Sequence, residues 1–101
     1  MPHYVRLVKL THEGSTHVKD LAKTMAKGRQ YLESLGGRVV VAYALSGPYD
    51  FVAVIEAPSD EAVLKHGIYA TQSGSVEILT MPAIPIEEFH RIVAEVPGAG
   101  N

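Results

Sequence analysis

The sequence predicts a single α+β domain in the order β-α-β-β-α-β, followed by one further helix. Three observations predict it. Four short β-branched stretches alternate or run apolar, two longer stretches carry apolar residues at helical spacing, and glycine or proline clusters punctuate the changes of period.

The first strand is Tyr4 to Leu10, with Tyr4, Arg6, Val8 and Leu10 on one side and Val5, Leu7 and Lys9 on the other. Thr11 to Thr16 reads as a polar connection in which Ser15 or Thr16 can cap a helix. Val18, Leu21, Ala22, Met25, Arg29, Leu32 and Leu35 then follow in one helical stripe, and Gly36-Gly37 ends it. Arg38 to Leu45 is the second strand and Phe51 to Glu56 the third; the short Ser46-Gly47-Pro48 turn makes them a hairpin. Pro58-Ser59-Asp60-Glu61 opens a second helix, with Ser59 as cap and acids in the first turn, where the helix dipole favours them. That helix runs to about Thr71, weakened by Gly67, and Ser73-Gly74 closes it. Val76 to Met81 is the fourth strand. Pro82 and Pro85 bracket a turn before a last helix with Phe89, Ile92, Val93 and Val96 on one side. Residues 1–96 form the domain and 97–101 a flexible tail. Right-handed crossovers on this order give the ferredoxin-like sheet.

Composition narrows the function classes. The 101 residues suit one domain, and 47% hydrophobic with 20% charged residues is an ordinary globular balance. The net charge of −2 argues against a nucleic-acid binder. The one cationic series, Lys19, Lys23 and Lys27, reads as a solvated helix stripe. The absence of cysteine removes disulfides, thiolate zinc sites and thiol catalysis, and suits a reducing cytoplasm. No secretion signal and no apolar run of bilayer-spanning length is visible, so neither membrane nor export is expected.

The sheet is apolar on both faces. Strand two offers Val39, Val41, Tyr43 and Leu45 on one parity and Val40, Ala42 and Ala44 on the other. Strand three sets Phe51, Ala53 and Ile55 against Val52 and Val54; strand four sets Val76 and Ile78 against Leu79 and Met81. The helices of this topology cover one face only, whereas a wet antiparallel face normally reads polar. Leaving roughly eight apolar side chains exposed forfeits on the order of 10 kcal/mol. A second copy packed face to face removes that loss, so the chain is expected to be its own partner, as a homodimer or larger homo-oligomer.

Gly47-Pro48-Tyr49-Asp50 fits the G-x-Y-D element of the GYD-domain family, which the chain resembles over about residues 1–95. Its flanks agree: Tyr4-Val5, Leu10-Thr11 with Glu13-Gly14, Leu35-Gly36-Gly37, Val54-Ile55-Glu56-Ala57-Pro58 with Asp60-Glu61-Ala62, and Pro85-Ile86-Glu87-Glu88-Phe89. The resemblance implies a ferredoxin-like domain of the dimeric α/β-barrel type, a fold whose relatives include small cofactor-free monooxygenases and isomerases. The second helix departs from the family's alanine-rich pattern at Lys65-His66-Gly67.

Candidate chemistry is sparse. Tyr49 and Asp50 stand at a sheet end and read either as an acid–base or ligand-anchoring pair, or as a turn that Asp50 holds by accepting N–H groups. The histidines at 3, 12, 17, 66 and 90 show no convergent ligand spacing, so no metal and no cofactor is expected. From the second helix His66 can face inward, where it is a candidate acid–base group near pH 7. Arg6, mid-strand among apolar residues, is read first as half of an interface ion pair with Glu77 or Glu56, second as an anion or carboxylate ligand, and third as a partly exposed edge residue. The reading that follows is a homo-oligomer holding a small organic molecule between sheet and helices, with Tyr31, Tyr43, Tyr49, Asp50, His66, Tyr69 and Arg6 as the groups around it. A cofactor-free enzyme using a Tyr/Asp/His cleft, and a structural or regulatory oligomerisation module, are the alternatives.

Overall fold

Strand order in the sheet is β2-β3-β1-β4, with every neighbouring pair antiparallel. The computed structural model describes residues 1–98; of the tail expected over 97–101, residues 99–101 lie outside the described residues. The elements are β1 (His3–Leu10), α1 (His12–Thr16), a 3-10 turn (Val18–Asp20), α2 (Leu21–Ser34), β2 (Arg38–Ala44), β3 (Phe51–Glu56), α3 (Asp60–Thr71), β4 (Val76–Ala83) and α4 (Ile86–Ala94). This is the ferredoxin-like α+β class that the periodicity predicted.

Three elements differ from the sequence reading. The helix expected from Val18 onward is split. Thr11, rather than Ser15 or Thr16, caps a first short helix by accepting the Gly14 N–H, and a 3-10 turn separates that helix from α2. Gly14 makes the split workable: a Cβ there would lie 2.0 Å from the Ser75 carbonyl oxygen, so only glycine lets α1 rest on the loop before β4. β2 contains a bulge between Val39 and Val41. The extra residue reverses the parity. Val39 therefore sits opposite Ile55 on the helix side, while Val41 and Tyr43 fall opposite Val54 and Val52 on the other side. The expectation that Val39, Val41 and Tyr43 share a face fails for that reason. β4 runs two residues beyond Met81, through Pro82. It is an edge strand, where a missing N–H is tolerated.

The core lies at one end of the helix-covered face. Leu32 of α2, Ala62 and Val63 of α3, and Tyr4, Ile55 and Ala57 from the sheet side are buried together. Ser59 caps α3 through the Ala62 N–H, and Gly36, at φ 87°, turns the chain out of α2. The other end, under the first turns of α2, is not filled, and Val18 and Met25 there remain exposed.

The face away from the helices carries Val5, Leu7, Val41, Tyr43, Val52, Val54, Leu79 and Met81, assigned by strand register. Charged pairs border it: Lys9 opposite Glu77 at one end, and Glu56 bridging His3 (3.3 Å) and Arg38 (2.9 Å) at the other. α4 does not fold back across this face. Its Ile86, Phe89, Ile92 and Val93, with Val96 just beyond its end, stay between 38 and 63% exposed. The radius of gyration, 16.2 Å, exceeds the ~13 Å of a compact chain this long.

Candidate functional site

Alternation along β1 turns Tyr4, Arg6, Val8 and Leu10 toward the helices. Arg6 is thereby buried, 4% exposed, in the centre of the sheet. Its Nε–H donates to Thr80 Oγ1 (2.9 Å), its directly paired neighbour on β4. One Nη2–H donates to the Val63 carbonyl of α3 (3.2 Å), and Nη1 donates to His66 Nδ1. The His66 Nε2–H in turn donates to the Gly28 carbonyl of α2 (3.1 Å). One chain of hydrogen bonds thus ties β4, β1, α3 and α2 together, and it assigns the proton on His66 to Nε2.

Burial, then the Arg6 charge, pushes the His66 pKa down to about 4, only partly opposed by the bond to Gly28. His66 is therefore neutral at physiological pH and can accept from Arg6. Burial also lowers the Arg6 pKa, although a guanidinium stays charged. Gly67 belongs to the same arrangement. A Cβ on it would meet Ile78 Cδ1 at 3.1 Å and Arg6 Nη2 at 3.4 Å. The Lys65-His66-Gly67 departure thus brings α3 close over the guanidinium. Sequence reading took Gly67 only as a helix weakener.

Beside this network, between α2 and the sheet, lies a cleft of about 720 Å³. Its floor is apolar, with Val8, Phe51, Ala53, Ile55, Val76 and Ile78. Arg6 and His66 sit at its inner end, and Tyr69, Thr24, Met25 and Lys27 are among its walls. Tyr31 stacks behind Tyr69 at 4.7 Å between ring centroids.

The sequence-predicted site residues are divided among three places. Arg6, His66 and Tyr69 line the cleft, with Tyr31 supporting from behind. Tyr43 lies on the opposite face of the sheet. Tyr49 and Asp50 stand at the hairpin end. There Asp50 Oδ2 accepts the Leu10 N–H (2.7 Å), its N–H donates to the Val8 carbonyl (2.9 Å), and its carbonyl accepts from Leu45 N–H (2.8 Å). Asp50 thus laces the ends of β1, β2 and β3 together, which gives the G-x-Y-D element a structural use.

The ion pair anticipated between Arg6 and Glu77 or Glu56 does not form. Glu77 pairs in register with Lys9 and Glu56 with His3, residues of the opposite parity. Thr80 and the Gly28 carbonyl escaped sequence reading, because their part in the network depends on strand register and helix placement. Among the described residues no group of three or more His, Cys, Asp or Glu side chains is placed to hold a metal ion.

The sequence matches the family model of the GYD domain over residues 4–93. A curated Thermus thermophilus protein, named glutamine synthetase and cystathionine beta-lyase binding protein, is 36% identical over 89 residues, covering 87% of this chain and 94% of that protein. The solved structure of MtbAldR superposes with a TM-score of 0.64 at 14% identity, covering 83% of this chain and 53% of the other, so this chain spans about half of MtbAldR. TTHA0845 from Thermus thermophilus superposes with a TM-score of 0.52 at 21% identity, over 84% of this chain and 95% of that one. These two structures share the fold. The family match and the curated relative show more: this chain belongs to the GYD-domain family.

Proposed function

We propose that the chain is one subunit of a homo-oligomeric binding protein that holds a small organic molecule between α2 and the sheet. The observation that carries this reading is the uneven filling of the helix-covered face. One half is packed around Leu32 and Ile55; the other is a cleft of about 720 Å³ with an apolar floor and a hydrogen-bonded polar end. That size and lining suit a small-molecule site. Assembly is supported by the opposite face, where eight apolar side chains framed by charged pairs have the make-up of an interface core and rim. Two such sheets packed face to face form the dimeric α/β barrel. Native mass spectrometry of the purified protein tests both parts in one measurement. The expected spectrum shows two or more copies with a co-purifying small mass; a bare monomer refutes the reading.

A second reading is favoured by the curated relative, whose name states that it binds glutamine synthetase and cystathionine beta-lyase. On this reading the assembled chain docks on a metabolic enzyme and acts as a regulatory subunit. Pull-down of purified glutamine synthetase and cystathionine beta-lyase by the immobilised protein tests it; retention of neither sinks it. The cofactor-free enzyme has less support. It calls for a Tyr, an Asp and a His within hydrogen-bond reach of one another in the cleft. Tyr69, Asp20 and His66 all line it, but the His66 ring bonds to Arg6 and to the Gly28 carbonyl instead, and Asp50 is committed to the Leu10 N–H and the Val8 carbonyl at the hairpin end.

A further inference from the structure

Among the described residues Arg6 has no counter-charge. None of the ion pairs among the described residues includes it. A buried arginine is ordinarily matched by a carboxylate, because a desolvated charge is otherwise uncompensated. The partners here are a hydroxyl, a backbone carbonyl and an imidazole. Those bonds occupy three of the five N–H groups of a guanidinium, leaving one on each terminal nitrogen without an acceptor among the described residues.

The charge around the cleft has a consistent sign. Lys27 and Arg29 line it with Arg6, against Asp20 as the one acid among its described lining residues. A smaller hollow on the far side of α3, about 500 Å³, also reaches Arg6, but it contains Asp60, which Tyr4 holds by a hydrogen bond, so an anion is disfavoured there.

We propose that the cleft binds an organic carboxylate with an apolar body, its carboxylate on the two uncommitted N–H groups of Arg6 and its body along Val8, Phe51 and Ile78. The proposal rests on the reading of the cleft as a small-molecule site and names the class of molecule. A planar two-oxygen group matches the two remaining donors of one guanidinium. A phosphate brings a third oxygen and a second charge into a largely apolar space. The carboxylate supplies the missing counter-charge, while the floor of the cleft excludes water from the rest of the ligand.

The test uses isothermal titration of the intact protein with octanoate, phenylacetate and phenylpyruvate, each beside its primary amide, together with the native mass spectrum. Carboxylates are expected to bind at least tenfold more tightly than their amides. Arg6→Lys keeps the charge but removes the planar pair of donors, and is expected to weaken carboxylate binding at least tenfold. Ala42→Phe fills the cleft from β2 without touching the Arg6 network, so it is expected to abolish binding in a folded protein even if Arg6→Lys does not fold. Equal binding of acids and amides overturns the assignment of a carboxylate while leaving a ligand cleft in place. Binding of neither class, with no co-purifying mass, overturns the cleft reading and this proposal together.

Discussion

At the scale of single residues, the Arg6–His66 pair carries the largest electrostatic consequence. The His66 pKa lies near 4 in the fold against an ordinary 6.5. Between those values the unfolded chain binds a proton at His66 that the folded chain refuses. Stability from this group is therefore fully present above pH 6.5 and is lost as the pH falls toward 4. Protonation would also set an imidazolium against the Arg6 guanidinium and remove the acceptor for its Nη1–H. Urea titrations across this range should show the midpoint falling with acidification. His66→Gln, which keeps a donor and an acceptor but cannot take up a proton, should flatten that dependence. An unchanged slope in the variant would assign the acid sensitivity to other groups.

Elements are held by close approaches that their side chains alone do not announce. α1 rests on the Ser75 carbonyl because residue 14 has no Cβ, and Thr11 adds a bond from its N–H to Ser75 O (3.0 Å) and one from its hydroxyl to Gly74 O (2.7 Å). Gly14→Ala forces this contact apart, so a loss of about 1–3 kcal/mol is expected, read as a lower urea midpoint at constant slope. α1 and the 3-10 turn lead into the end of α2 that stands over the cleft, so the variant should also weaken any ligand bound there. The cap at Ser59 and the stop at Gly36 were legible in the sequence, since both rest on a residue and its immediate neighbours. The split of the first helix was not, because it depends on a loop about sixty residues away along the chain.

For the whole molecule, the sheet face opposite the helices decides what the domain does alone. Leu7 sits at its centre, paired with Val52 on one side and Leu79 on the other. Leu7→Glu places a charge in the middle of that patch without touching the helix-covered core. It is expected to convert an assembled protein to monomer in sedimentation velocity while the far-ultraviolet dichroism stays unchanged; a variant that sediments like the parent would place the interface elsewhere. α4, with its apolar side still exposed, is a second unpartnered surface, and its length accounts for part of the elongated 57 × 31 × 19 Å envelope.

Strand order, the two long helices and the apolar character of both sheet faces follow from local periodicity, the Ser59 cap from its own residue type, and the family from the Gly47-Pro48-Tyr49-Asp50 element with its flanks, so the fold class and the family are legible from the chain unaided. Tyr69, His66 and Arg6 could be named as candidates from residue type, but nothing local distinguished them from Tyr43, Tyr49 and Asp50. That distinction came from tertiary packing. Strand register set Arg6 against Thr80 and away from Glu56 and Glu77, the β2 bulge sorted Val39 from Val41, and the approach of α3 permitted by Gly67 brought His66 onto the guanidinium. Each is a long-range pairing. Periodicity states which residues of a strand share a side, but only register and packing state which side that is and what stands across from it.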